Sequence, residues 1–101
     1  MKYLFNEKEA EKESKDVWII VCCLNSMGGY YDFEEIFEHL TRKNSYSVDA
    51  AACRFSDWKS PGEEDHFDGI QFIFLDHEVI VPEEIGFKFI KLAGEKYMEF
   101  Y

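Results

Sequence analysis

Long apolar runs alternate with dense charge along the chain, and the spacing of the apolar positions marks out most of its elements. Val17–Leu24 (VWIIVCCL) is a continuous apolar run rich in β-branched residues. Its length and composition predict a strand buried on both faces, placed centrally in a sheet. Asn25-Ser26-Met27-Gly28-Gly29 breaks that run. In Tyr30–Asn44, Phe33, Ile36, Phe37 and Leu40 fall at i, i+3, i+4 and i+7, the spacing of an amphipathic helix. Asp32 is its candidate N-cap, with Glu35 at the capping-box position, and Arg42-Lys43 complement its C-terminal end. Glu34, Glu35 and Glu38 mark its outer face, with His39 beside them as a solvated or lightly packed side chain.

The next segments are extended. Ser45–Phe55 reads as a weaker strand in which two parities compete: Tyr46, Val48, Ala50 and Ala52 on one, Ala51, Cys53 and Phe55 on the other. Ser56–Phe67 is loop by its Pro-Gly pair and polar clustering. Asp68–Leu75 and Glu78–Val81 then bracket Asp76-His77, expected as a two-residue hairpin turn. Pro82 suits the first position of a helix, with Glu83 and Glu84 in its first turn. Ile85, Phe89, Leu92, Ala93 and Phe100 form its stripe, with Ile90 and Tyr97 beside it. Gly86 and Gly94 each cost such a helix about 1 kcal/mol against Ala, so both are expected where another element comes close. At the N-terminus, Lys2–Phe5 is a hydrophobic lead-in or a short strand. The sign-alternating charges of Asn6–Lys15 follow; they would pair across a helix capped by Asn6, with Glu9 at its capping-box position.

These elements predict an α+β fold: one domain over residues 1–101, with a mainly antiparallel sheet of about four strands. Two main helices pack it, one after the first strand and one at the C-terminus. The hairpin and helix of Asp65–Tyr101 are expected to supply most of the core.

Charge changes the picture. The 101 residues carry 21 Asp and Glu against 11 Lys and Arg, a formal net charge of −10. The whole excess lies in residues 32–84, where fourteen acids meet four bases, net −10. Phosphate backbones and anionic membrane surfaces are repelled by such a chain, and a basic protein is its natural complement.

Candidate chemistry adds little. Cys22, Cys23 and Cys53 are an odd set without CxxC spacing, which indicates a reduced, cytosolic setting. The N-terminus shows no secretory apolar segment, and no run approaches the roughly 20 residues needed to span a membrane. Cys53 could meet His66 or His77 as nucleophile and base, but no spacing supports the pair. Zinc-ligand spacing, a calcium-loop register and a phosphate-loop lysine are all missing. No catalytic group, metal or cofactor is therefore expected. What remains is a docking face: Asp57, Trp58, Glu63, Glu64, Asp65 and Asp68, extending to Tyr30, Tyr31, Asp32 and Glu35. Aromatic anchors within a charged rim are the usual make-up of a strong interface.

Phe67-Asp68-Gly69-Ile70-Gln71-Phe72, Val79-Ile80-Val81, Phe89-Ile90-Lys91-Leu92-Ala93 and Tyr97 together resemble the small immunity proteins of contact-dependent growth inhibition (CDI) systems, especially those paired with ribonuclease toxins. The resemblance implies a cytoplasmic, non-enzymatic monomer that binds a cognate toxin domain one-to-one and blocks its active site or substrate path. An acidic inhibitor would compete with RNA for a basic toxin. The alternative is an acidic adaptor or regulatory module unrelated to toxins.

Overall fold

The structure is a computed structural model that describes residues 4–28, 33–48, 50–55 and 69–100. Its elements are α1 (Glu7–Glu13), α2 (Lys15–Gly28), α3 (Phe33–Thr41), β1 (Tyr46–Val48), β2 (Ala51–Phe55), β3 (Ile70–Phe74), β4 (His77–Val81) and α4 (Glu83–Phe100). The strands form one antiparallel sheet in the order β1-β2-β3-β4, so each pairs with its neighbour in sequence. The α+β class and the four-stranded sheet are as expected. Two placements differ: the helix expected after a first strand is α3, which precedes β1, and the expected first strand is itself a helix.

That correction is the largest. Val17–Leu24 lies inside α2, not in the sheet. A short apolar run has the same pattern in a doubly buried strand and in a helix buried all round, so periodicity alone does not separate them. Its flanks do. Ser14 Oγ accepts from Val17 N at 3.1 Å, a helix N-cap contact. Beyond Leu24 the helix continues through Asn25, Ser26 and Met27 to Gly28, giving 14 residues, too long for an ordinary strand. Nearly every side chain from Ile19 to Gly28 is buried. The helix lies on the sheet with α1 and α4 against it.

Asn25 is the polar exception on α2, only 2% exposed. Its Oδ1 accepts from Phe5 N at 2.8 Å, and its Nδ2 donates to Phe5 O and to Glu7 Oε2, both at 3.0 Å. One side chain thus pairs both backbone groups of Phe5, as a neighbouring strand would, and holds the lead-in over the helix. Leu4 is buried beside it and packs on Gly28. The capping expected from Asn6 is present, since its Oδ1 accepts from Lys8 N and Glu9 N. Ser14 ends α1, so Lys15 and Asp16 belong to the next helix and not to the expected charge ladder.

The two competing parities in Ser45–Phe55 resolve into a hairpin. Val48 pairs with Ala51, and the two residues between them shift the alternation. Tyr46 and Val48 pack on the core from one strand; Ala51, Cys53 and Phe55 are buried on the next. In the second hairpin the turn residues are Leu75-Asp76, with His77 already in β4 opposite Phe74. Leu75 takes a left-handed φ of 58°, and its N–H donates to Ala50 O at 2.8 Å, tying the two turns together. Gly69 opens β3 with φ 110°, where a Cβ would lie 2.1 Å from Val81 O, so no side chain fits. Asp68, expected to begin that strand, lies outside the described residues.

Helix α4 is rotated from the expected stripe. Gly86, Ile90, Ala93 and Gly94 are buried, while Ile85 is 44% exposed. Pro82 stands just before the helix, and its carbonyl accepts from Ile85 and Gly86 N. The core draws as heavily on α2 and α3 as on the C-terminal unit, through Ile19, Leu24, Met27, Phe33, Ile36 and Leu40.

At the end of α3, Asn44 N donates to His39 O at 2.8 Å and Lys43 N to Leu40 O at 3.1 Å. This is a Schellman closure, and its left-handed position is held by Lys43 at φ 62° where glycine is the usual occupant. Lys43→Gly is expected to raise stability by about 0.5–1 kcal/mol by removing the Cβ clash. Urea denaturation checks this; an unchanged or lower midpoint would show that Lys43 carries no strain.

Candidate functional site

Helices α3 and α4 together line a groove of about 560 Å³. Its floor is aromatic. Phe33 meets Tyr97 edge-to-face, with ring centroids 4.9 Å apart and planes at 86°, and meets Phe37 at 6.3 Å. Gly94 makes this approach possible: a Cβ there would stand 2.5 Å from Phe37 Cζ. Met98 forms the lip of the groove and is 73% exposed.

Its rim is acidic. Glu34, Glu35 and Glu38 line it from α3, all three exposed. The amphipathic period that buries Phe33, Ile36 and Leu40 turns these carboxylates outward. Glu35 lies 3.9 Å from His39, one turn along the helix, and Glu38 lies 3.8 Å from Arg42, just past the helix end. Exposed pairs at such distances contribute little, so the carboxylates keep most of their field. Lys43 pairs with Glu83 at 3.3 Å and joins the end of α3 to the start of α4, away from the rim.

Among the residues expected to form the docking face, only Glu35 is described, and it stands on this rim. Asp57, Trp58, Glu63, Glu64, Asp65, Asp68, Tyr30, Tyr31 and Asp32 lie outside the described residues. The wall supplied by α4 was not foreseen. Tyr97 is expected only beside the packing stripe; Gly94 is expected where another element comes close, and Phe37 is that neighbour. An apolar residue falling off the stripe of an amphipathic helix was the available sign.

The described groups among those considered for catalysis sit elsewhere. Cys22, Cys23 and Cys53 are free and buried. Burial pushes the Cys23 thiol up to about 12. Cys22 is likewise pushed up to about 12, by burial first and then by the Glu7 carboxylate beside it. Burial raises Cys53 as well. His77 packs edge-on against Trp18 at 5.3 Å, as a structural ring. His66 lies outside the described residues. Among the described residues no group of His, Cys, Asp or Glu could hold a metal ion, and no helix is long and apolar enough to cross a membrane.

The profile of the CDI immunity protein family matches residues 16–101. The chain belongs to that family. The match spans everything from the start of α2 onward, well beyond the C-terminal third that carried the resemblance. No curated protein matches the chain. Membership in a CDI immunity family points to a non-enzymatic protein that neutralises a toxin partner, which agrees with a site made of a groove and charge.

The thiols give a pH dependence. Raised in the folded state from an ordinary value of 9.0, they favour folding at neutral pH, and this contribution is lost as pH climbs from about 9 to 12. Thermal unfolding is expected to show a falling midpoint over that interval, less steep in Cys22→Ser. At pH 8 the folded chain should react with a thiol reagent orders of magnitude more slowly than the urea-unfolded chain. Prompt labelling of the folded chain would place at least one thiol at the surface.

Proposed function

We propose that this immunity protein binds a basic ribonuclease toxin domain one-to-one in the cytoplasm and blocks its active site or its substrate path. The observation that carries the reading is the confinement of the whole net charge of −10 to residues 32–84 in a member of a toxin-neutralising family. A ribonuclease grips phosphates through cationic groups, and an inhibitor that presents carboxylates competes for them. The chain acts as a single domain over residues 1–101 and as a monomer. The contact face runs through Asp57, Trp58, Glu63, Glu64, Asp65 and Asp68, and reaches Tyr30, Tyr31, Asp32 and Glu35. Dense charge of this sign speeds encounter with a basic partner, and salt screens it beyond about 8 Å.

The test uses the toxin domain encoded beside this chain. Adding the purified chain should abolish RNA cleavage at an equimolar ratio. Continued cleavage with excess chain, or no complex by size-exclusion chromatography, would sink the reading. Reversing Glu63, Glu64 and Asp65 together to Lys should slow association about tenfold at low salt and flatten its salt dependence. Association rates that match the wild type at every salt concentration would move the interface away from this stretch.

A further inference from the structure

We propose that the groove between α3 and α4 receives an arginine-bearing apolar segment of the toxin domain. The proposal rests on the reading that the partner is a toxin, and adds where and by what chemistry it is gripped. Two features act together. Half-buried Phe37 and Tyr97, backed by the buried Phe33, offer aromatic surface, and the rim of Glu34, Glu35 and Glu38 offers three carboxylates on one side of it. The volume, about 560 Å³, is that of a cleft that takes a small ligand or a few peptide residues.

The chemistry selects the occupant. A purely apolar segment would leave the carboxylate rim without a partner, and an anion would be repelled by it. A guanidinium satisfies both surfaces, because its plane stacks on aromatic rings while its fork of N–H donors matches a carboxylate. Lysine, a compact and strongly hydrated charge, matches the aromatic floor less well. The exposed Met98 at the lip is unbranched and polarizable, suited to packing on the aliphatic stem or on an apolar neighbour. Among the described residues, the ion-pair contacts of Glu35 and Glu38 are the long, exposed ones to His39 and Arg42, which an incoming guanidinium would displace at little cost.

Calorimetry of the wild type and two sets of variants with the neighbouring toxin domain tests this. Glu34→Lys with Glu38→Lys, and separately Met98→Ala, should each weaken binding by about tenfold or more. Glu34→Gln with Glu38→Gln should weaken it less while keeping the shape of the rim. All these positions are exposed, so melting temperatures should stay near that of the wild type; if the Lys pair lowers stability, the Gln pair carries the test. Wild-type affinity in every variant overturns the groove proposal and leaves the toxin reading standing. Absence of wild-type binding overturns both. Sedimentation of the chain alone gives a further check: a dimer that the same substitutions dissociate would seat a second copy in the groove and overturn the proposal.

Discussion

A helix buried on nearly every side is the constraint from which the rest of this fold follows. Helix α2 has no solvent face along Ile19–Leu24, so other elements must cover it all round. The sheet covers one side; α1, the lead-in and α4 cover much of the remainder. Such a helix satisfies its own backbone groups internally, which lets it sit at the centre where a loop could not. Its one buried polar side chain, Asn25, makes three hydrogen bonds that hold the chain passing over it. Removing that amide would leave Phe5 N–H and C=O without these partners, and buried groups left unpaired cost more than a hydrogen bond is worth when made.

This centre was the part of the fold least legible in the sequence. VWIIVCCL has a strand's composition, and β-branched residues lower helix propensity only slightly, so tertiary burial overrides them. Elements with an exposed face were legible because their polar residues report the period. Phe33, Ile36, Phe37 and Leu40 gave α3 correctly. Ser45–Phe55 gave its conflict of parity openly, and the conflict was itself the mark of a turn. Helix α4 was found but rotated, because Ile85 and Phe89 look like core while two glycines do not. Gly86 and Gly94 are nonetheless closely packed positions on it, against Ile70 and Phe37. A glycine on a helix face carries no hydrophobic signal, although it can mark where a neighbour's side chain enters.

The candidate site shows a similar division. Its charge could be read directly, since acidic residues on the outer face of α3 announce themselves. Its floor could not, because Phe33 and Phe37 pack on the core as well as line the groove, and Tyr97 meets Phe33 from 64 positions along the chain. A groove between two helices depends on how closely they approach, and here that approach is set by Gly94. The family match and the charge both point to a toxin partner, and the three free thiols lie buried in the core.

The order of the sheet has a consequence in time. All three pairings join strands that are successive in sequence, so no strand waits for a distant partner to be threaded between others. The β3–β4 pairing closes across two residues and the β1–β2 pairing likewise, leaving one longer closure between β2 and β3. Topologies dominated by near-neighbour contacts fold faster than those built from remote ones. A member of a toxin-neutralising family protects only once folded, so this meander shortens the interval in which a newly made chain is present but offers no defence.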